Sequence, residues 1–151
     1  MKLIEYSSEY LPEIAELFFN TVHSVNAADY TQEQLDAWTG RGPDLEKWNA
    51  SFLEHYSLLA FEGNVLTGFG DITENGYLDR LYVHKDYQRK GVGTLLCDSL
   101  EKEFPVERIE THASITALPF FEHRGYRVLR KQTVIRSGTE LVNFVMIKNM
   151  G

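Results

Sequence analysis

Residues 88–94 combine basic side chains with closely spaced glycines, a combination that suits the binding of a phosphorylated ligand. The segment reads Gln88-Arg89-Lys90-Gly91-Val92-Gly93-Thr94. Gly91 and Gly93 let the backbone approach a ligand, and a helix that begins here leaves its first N–H groups without partners. Those donors, the helix dipole and the charge of Arg89 or Lys90 together predict a pyrophosphate site. The alternative is that the glycines only shape a tight turn.

Two other phosphate-binding loops do not match this segment. It lacks the Gly-Lys-Ser/Thr ending of a P-loop. Leu96 stands where the third glycine of a GxGxxG loop falls, and such a loop follows the first strand of its βαβ unit. The segment therefore belongs to another class of phosphate-binding loop.

The hydrophobic pattern predicts a strand before this loop and an amphipathic helix after it. Thr31 and Gln34 have the spacing of a capping box, and Asn75-Gly76 is typical of a hairpin turn. The predicted helices begin near Pro12, Thr31, Asp44 and Val92, the last one ending before Pro105, and a short helix covers 116–124. The predicted strands cover 2–6, 57–61, 65–73, 77–84, 106–112, 126–135 and 141–147. This order predicts a mixed α/β (α+β) fold with a strand-loop-helix-strand unit at its centre.

The loop and its surroundings resemble the GNAT-type superfamily of acyl-CoA-dependent N-acetyltransferases. Members carry Gln/Arg-x-x-Gly-x-Gly/Ala at the start of a central helix, after a strand that ends in an apolar-aromatic-Val run. Here the motif is Gln88-x-x-Gly91-x-Gly93, and the run is Leu81-Tyr82-Val83. Downstream, the chain has Ser114, Ala117, Phe121 and Gly125-Tyr126 in the spacing of a second motif of the superfamily.

The resemblance implies a GNAT-like fold for a single domain over residues 1–151. It implies a mostly antiparallel central sheet with helices on both faces and a V-shaped splay between the fourth and fifth strands. Acetyl-CoA is the implied co-substrate, with its pantetheine arm along a bulged strand near Leu81 and Val83. The implied coenzyme-binding residues are Leu81, Tyr82, Val83, Gln88, Arg89, Lys90, Gly91, Val92, Gly93, Thr94, Ser114 and Phe121.

Acyl transfer to an amine requires a group that removes a proton, since a free alkyl amine has a pKa of roughly 10. Asp79 is the first candidate base, because superfamily members often place a carboxylate at this point of the strand. The alternative is that Asp79 pairs with Arg80 or Arg124 and only organises the strand. His23 and His112 are rival candidates, because a histidine titrates near neutral pH.

The general acid is not assigned by the sequence. Phe121 stands where many superfamily members have a tyrosine, and Tyr126 or Tyr82 substitutes for it only if the geometry allows. Cys97 offers a covalent route, but its position within a helix favours a buried apolar role. We therefore expect direct transfer in a ternary complex.

The acceptor is expected to bind to the helices that precede the second strand. The candidate residues there are polar or aromatic, namely His23, Tyr30 and Trp38. The alternative is that Tyr30 and Trp38 only pack between helices. The expected partner is a small-molecule amine or a protein amine. Two other hypotheses are a catalytically silent acyl-CoA-binding sensor or partner module and an unrelated nucleotide-binding protein.

The composition limits which partners the protein is expected to bind and where in the cell it is expected to be. The net charge of −7 disfavours nucleic acid, and the five histidines show no ligand-like spacing with one another or with Cys97, so no metal is expected. Cys97 is the only cysteine, which fits a reducing compartment. With no apolar run long enough for a bilayer, no membrane contact and a cytoplasmic location are expected. The sequence leaves open a monomer or a homodimer through the C-terminal strands.

Overall fold

A seven-stranded sheet and five α-helices make up the fold, and the computed structural model describes residues 1–151. The helices are α1 (Leu11–Ser24), α2 (Gln32–Thr39), α3 (Leu45–Glu54), α4 (Val92–Leu100) and α5 (Leu118–His123). The strands are β1 (Lys2–Glu5), β2 (Tyr56–Glu62), β3 (Val65–Ile72), β4 (Tyr77–Val83), β5 (Arg108–Ser114), β6 (Arg127–Arg136) and β7 (Thr139–Asn149). None of the helices has the length and apolar character that crossing a membrane requires.

The strands lie in the order β1-β2-β3-β4-β5-β7-β6. Every neighbouring pair is antiparallel except β4 and β5, which are parallel. The predicted hairpin turn between β3 and β4 is present, with Gly76 at a φ of 94° and its N–H bonded to the carbonyl of Thr73. These observations confirm the predicted mixed, mostly antiparallel sheet.

The β4 strand separates from β5 after its first two residues. Only Tyr77 and Leu78 pair with β5. On the other side of β4, Arg80 pairs with Asp71 and Leu78 pairs with Ile72, which leaves Asp79 as the extra residue of a β-bulge. The predicted V-shaped splay is therefore confirmed, and it opens at Asp79.

Helices cover both faces of the sheet, as predicted, because each face of the sheet is apolar. On one face, α4 and α5 pack against the sheet in a cluster that includes Leu96, Leu100, Ile109 and Phe121. On the other face, α1, α2 and α3 enclose a second cluster, which includes Ile14, Leu17, Leu35, Phe52 and Phe69. The V between β4 and β5 thus opens between two packed layers of helices.

Several predicted boundaries were wrong by two or more residues, among them the end of α4 and both ends of β5. Helix α4 ends at Leu100 rather than near Pro105, and the chain continues in turns from Glu101. Strand β5 covers Arg108–Ser114 rather than 106–112, because its pairing with β7 extends as far as Ser114 opposite Asn143. This shift of β5 by two residues, at unchanged length, brings Ser114 into the sheet beside the opening of the V.

A buried carboxylate fastens the end of α4 to α5 and β7. Glu101 is 5% exposed, and its carboxylate accepts hydrogen bonds from Arg124, from the Tyr126 hydroxyl at 2.7 Å and from Lys148 Nζ at 3.0 Å. Burial opposes ionisation of Glu101, but these three donors outweigh it and hold the pKa of the carboxyl below its usual range. Glu101, which makes these bonds, is also the residue that follows the last residue of α4.

Replacing Glu101 by glutamine is expected to lower the free energy of unfolding at neutral pH by roughly 3 kcal/mol, since it removes the largely buried carboxylate that Arg124 and Lys148 share and leaves Arg124 with only the exposed Asp98. Because the folded-state pKa of Glu101 lies below its unfolded value, the stabilisation is complete above about pH 4.3 and is lost as the pH falls through the folded value. Urea unfolding should therefore separate the variant from the native protein at pH 7 and bring them together in acid. The exposed Glu103→Gln is the control, and equal stability of Glu101→Gln and Glu103→Gln at pH 7 would contradict the prediction.

Candidate active site

The loop between β4 and α4 is held against the end of β4 by Gln88. Its side-chain amide donates to the carbonyl oxygen of Val83 at 2.7 Å and to that of His84 at 3.4 Å. Arg89 and Gly91 have left-handed backbone conformations, with φ of 60° and 83°, and Gly91 directly precedes α4. The loop therefore turns sharply, and α4 begins directly after the turn with first N–H groups that have no partner within the helix.

The two glycines of the loop have different surroundings. A Cβ added to Gly91 would meet no atom within 4 Å, so this glycine faces open space. A Cβ added to Gly93 would lie 3.1 Å and 3.2 Å from two atoms of the Phe120 ring. Gly91 thus allows the backbone to turn and leaves the space beside the loop open. Gly93 instead allows α4 to pack closely against α5.

A groove of about 830 Å³ runs along the V, with α4 and α5 on one side and residues of the segment 21–29 at the end of α1 on the other. All the predicted coenzyme-binding residues except Lys90 line it, namely Leu81, Tyr82, Val83, Gln88, Arg89, Gly91, Val92, Gly93, Thr94, Ser114 and Phe121. Lys90 lies outside the groove lining, with its ammonium group 5.4 Å from the centre of the Tyr87 ring. We call this cavity the coenzyme groove.

A second cavity, of about 440 Å³, lies on the opposite face of the sheet beneath α1, α2 and α3. Its walls combine aromatic and charged side chains, namely Phe18, Tyr30, Trp38, Trp48, Tyr77 and Tyr82 together with Asp79, Arg80 and Arg136. Two of the three predicted acceptor residues, Tyr30 and Trp38, line it. We call this cavity the acceptor cavity.

The two cavities meet where the V opens. Their shared lining consists of Trp38, Asp79, Tyr82, His112 and Ser114. A group carried on a ligand in the coenzyme groove can therefore face a second ligand in the acceptor cavity without either ligand leaving its site. The arrangement suits the transfer of a group between two bound molecules.

Comparison with known proteins decides the family. The family model described as an Acetyltransferase (GNAT) domain matches residues 26–148. This chain belongs to the GNAT acetyltransferase family. The acetyltransferase is 27% identical to the uncharacterised N-acetyltransferase YafP of Escherichia coli K12, over 97% of this chain and 94% of that protein.

Solved structures agree with this assignment. The acetyltransferase is 33% identical to a GCN5-related N-acetyltransferase from Rhodopseudomonas palustris, with a TM-score of 0.94 over 99% of this chain and 95% of that chain. It shares its fold, at 21% identity and a TM-score of 0.79, with the PaiA N-acetyltransferase of Thermoplasma acidophilum in complex with coenzyme A. That match covers 99% of this chain and 98% of the other. The protein is therefore an acyltransferase of this family.

Asp79 lies at the junction of the two cavities of the acetyltransferase, as the extra residue of the β4 bulge. Its side chain is 33% exposed, and its nearest cation is Arg80, with Nη2 at 3.8 Å. Burial, followed by the charge of Asp71, raises the pKa of the Asp79 carboxyl. The alternative pairing with Arg124 does not occur, because Arg124 bonds to Asp98 and Glu101. Asp79 is thus a carboxylate whose environment makes it more basic than usual.

The structure separates the two candidate histidines. His112 lines both cavities, and its ring nitrogens lie 3.0 Å from Glu110 and 3.3 Å from Gln132. His23 lines neither cavity, because its ring stacks on Phe19 and its Nε2 lies 2.9 Å from the hydroxyl of Thr39. His23, predicted both as a base and as an acceptor residue, is therefore placed away from the junction.

Tyr82 is the tyrosine at the junction. It lines both cavities, and burial raises the pKa of its hydroxyl to about 12, so that it is protonated at neutral pH. Tyr126 lies outside both cavities, with its hydroxyl bonded to Glu101. Cys97 is fully buried in α4, and burial raises the pKa of its thiol to about 12, so a covalent route through Cys97 has no support.

Tyr30 forms part of the acceptor wall and is fixed at its hydroxyl end. The hydroxyl donates to the carbonyl oxygen of Val142 at 2.7 Å and accepts from the N–H of Ile115 at 2.9 Å. The ring meets Trp38 edge-on, with the ring centres 5.2 Å apart. Since the hydroxyl is fully engaged, Tyr30 offers the acceptor cavity an aromatic surface and a rigid wall.

Asn143 and Thr21 also line the two cavities, although neither was predicted as a site residue from the sequence. Asn143 lines the acceptor cavity, and its side-chain oxygen is buried without a hydrogen-bond partner. A signal for it exists, since the alternation of β7 places Asn143 on the same face as buried Leu141 and Val145. Thr21 lines the coenzyme groove and donates to the carbonyl oxygen of Val83 at 3.0 Å. No local pattern marks Thr21, which is one polar residue on the inner face of α1.

Proposed function

We propose that residues 1–151 act as one domain that moves an acetyl group from acetyl-CoA to a primary amine by direct transfer in a ternary complex. The observation that carries the proposal is the meeting of the coenzyme groove and the acceptor cavity at Asp79. The coenzyme A bound to the PaiA structure supports the choice of co-substrate. The acceptor cavity, of about 440 Å³, offers aromatic faces and the carboxylate of Asp79 to a small amine.

The loop and the splayed strand bind different parts of the coenzyme. The pyrophosphate lies against the first N–H groups of α4 and the side chain of Arg89. The pantetheine arm follows β4, which has no β5 partner beyond Leu78. Because the carbonyl of Val83 already accepts from Thr21 and Gln88, the pantetheine amides pair with backbone groups of Leu81 and with the N–H of Val83.

The reaction requires removal of a proton from the amine, stabilisation of an oxyanion and departure of a thiolate, and groups at the junction serve all three. Asp79 takes the proton of the attacking amine, directly or through a water molecule, and its raised pKa suits that role. A backbone N–H of β4 stabilises the oxyanion of the tetrahedral intermediate. The departing thiolate has a pKa of about 8.5 and needs little assistance, although the protonated Tyr82 hydroxyl is available there. His112 is the second candidate base.

The second candidate function is a catalytically silent acyl-CoA-binding module. The observation that favours it is Phe121, which is buried at the groove and has no proton to give. Incubation with acetyl-CoA and a panel of primary amines separates the two functions, with free thiol and acetylated amine measured together. Release of thiol in step with acetylated amine supports the acetyltransferase. Binding of acetyl-CoA with no product from any amine would favour the silent module.

Asn143 is proposed to accept a hydrogen bond from the acceptor, because its buried oxygen otherwise lacks a donor. Replacing Asn143 by leucine is expected to raise the KM for the amine roughly tenfold, with the dissociation constant of acetyl-CoA unchanged. Asn149→Leu, at the exposed end of the same strand, is the matched control and should leave both constants unchanged. An unchanged KM in Asn143→Leu would remove this residue from the acceptor site.

A further inference from the structure

A buried cluster of three charged residues lies beneath the bulge of β4, next to Asp79. Only one of the three, Arg80, lines either of the two cavities. The centre of the cluster is Asp71 of β3, which is fully buried. One carboxylate oxygen of Asp71 accepts from the backbone N–H of Arg80 at 3.1 Å and from its Nε at 3.0 Å. The other oxygen accepts from Nη2 of Arg80 and lies 2.7 Å from Nδ1 of His55. We call His55, Asp71 and Arg80 the Asp71 cluster.

Helix α3 fixes the far side of this cluster. Nη2 of Arg80 donates to the hydroxyl of Ser51 at 2.7 Å. The guanidinium group lies over the Phe52 ring, 4.0 Å from its centre, and 5.1 Å from the centre of the Trp48 ring. Arg80 is therefore held by charge, hydrogen bonds and aromatic faces, and it has little freedom to move.

The Asp71 cluster is built into the bulge that presents Asp79. In the β3–β4 pairing, Asp71 lies opposite Arg80 and Ile72 lies opposite Leu78, so Asp79 is the residue without a partner. The backbone N–H of Arg80, directly after the bulge, is satisfied by the side chain of Asp71. A carboxylate thus supports the backbone at the point where the ladder is interrupted.

The cluster also surrounds Asp79 with charge. Ligand-type atoms of His55, Asp71 and Asp79 all lie within 4.8 Å of one another. Arg80 already occupies both oxygens of Asp71, so this group is organised around a guanidinium rather than around a metal ion. The charge of Asp71 acts against ionisation of Asp79, whereas Arg80, His55 and His112 favour it. The hydrogen bond to Asp71 raises the pKa of His55, which keeps this histidine cationic in the acid range.

We propose that Asp71 and His55 are positioning residues for Asp79, Asp71 as the anchor of the bulge and both as fixed charges of opposite sign beside its carboxylate. This inference rests on the proposed role of Asp79 as the base. Neither residue lines the coenzyme groove or the acceptor cavity, so each acts through Asp79 and not on a ligand.

The test is the pH dependence of kcat/KM for Asp71→Asn and His55→Gln. Asp71→Asn removes an anion that opposes ionisation of Asp79, so the acidic limb of the profile should move to lower pH. The loosened bulge should also lower the rate at neutral pH roughly 10- to 100-fold. His55→Gln keeps a donor for Asp71 but removes a cation, so its acidic limb should move to higher pH. Ser51→Ala, which removes one bond to Arg80 and no charge, should leave the limb in place.

Opposite shifts in the two variants are the result that supports the proposal. Shifts in the same direction, or lower rates with an unmoved limb, would overturn it and leave the cluster a purely structural role. If Asp71→Asn fails to fold by circular dichroism, the direction of the shift in His55→Gln decides the question.

A second measurement separates this proposal from the proposed function. Carbon-13 NMR of the Asp79 carboxyl in the acetyl-CoA complex follows its titration without turnover. The same opposite shifts there, in a protein that acetylates no amine, would uphold the cluster and reject the acetyltransferase role. Unshifted titration in an active enzyme would reject the cluster alone.

Discussion

Replacing Asp79 by asparagine is expected to lower kcat/KM for the amine by about 10²- to 10⁴-fold at neutral pH, the range typical of a lost general base. The amide has nearly the shape of the carboxyl but cannot take up the proton. The loss should shrink as the pH approaches the amine's own pKa of roughly 10, because the amine then needs no base. Initial rates across the pH range, in saturating acetyl-CoA, provide the measurement.

The dissociation constant of acetyl-CoA should be unchanged in Asp79→Asn, since we propose that the loop and the backbone of β4 hold the coenzyme. Glu74→Gln, an exposed acidic residue in the hairpin turn just before β4, is the matched control and should keep full activity. A variant that is as active as the native protein at every pH would move the role of base to His112 or to a chain of water molecules. If His112 is the base, His112→Gln should lower kcat/KM more than Asp79→Asn does.

The second large effect is expected from Gly91→Val. The new side chain enters the open space in which we propose that the loop binds the pyrophosphate, so the dissociation constant of acetyl-CoA should rise roughly 10- to 100-fold. The φ of 83° also makes valine strained here, at a cost of about 1–3 kcal/mol in the free energy of unfolding. Calorimetric titration and urea unfolding give the two quantities separately.

Gly63→Val is the control for backbone strain. Gly63 has a φ of 60°, open space around it and a place in the β2–β3 turn outside both cavities. We expect a similar loss of stability in Gly63→Val with unchanged affinity for acetyl-CoA. Native affinity in Gly91→Val would show that the loop only shapes a turn and would remove it from the coenzyme site.

The sequence was sufficient where structure follows from neighbouring residues. The capping box of α2 forms as predicted, with Thr31 Oγ1 accepting from the N–H of Gln34 and the Gln34 side chain accepting from the N–H of Thr31. Asp44 caps α3 through the N–H of Lys47. These signals act over three residues, so no knowledge of the fold is needed to interpret them.

The orientation of a side chain at the end of an element was harder to predict. His23 and Trp38 both belong to the helices beneath which the acceptor cavity lies, yet only Trp38 lines it. The ring of His23 instead lies between Phe19 and Thr39, and the hydroxyl of Thr39 belongs to another helix. The spacing of residues within one helix does not predict such a contact, because it depends on how α1 and α2 cross.

The loop of the candidate site was predictable from its motif, but the groups that support it were not. Asp71 appears in the sequence as one polar residue in an apolar strand, and only the β3–β4 register places it beside Arg80. Asn143 lies far from Asp79 along the chain and meets the acceptor cavity through the pairing of β5 with β7. The first contact depends on a bulge within the β3–β4 hairpin and the second on long-range strand pairing, and the sequence pattern left both undefined.

Calorimetric titration with acetyl-CoA, coenzyme A and ADP in parallel tests the central claim most directly. We propose that backbone groups of the splayed β4 strand bind the pantetheine arm, which ADP lacks. We therefore expect acetyl-CoA and coenzyme A to bind at least about tenfold more tightly than ADP, a difference of about 1.4 kcal/mol or more. Equal affinities for all three, or no binding, would show that the V does not hold pantetheine and would contradict acetyl transfer at this site.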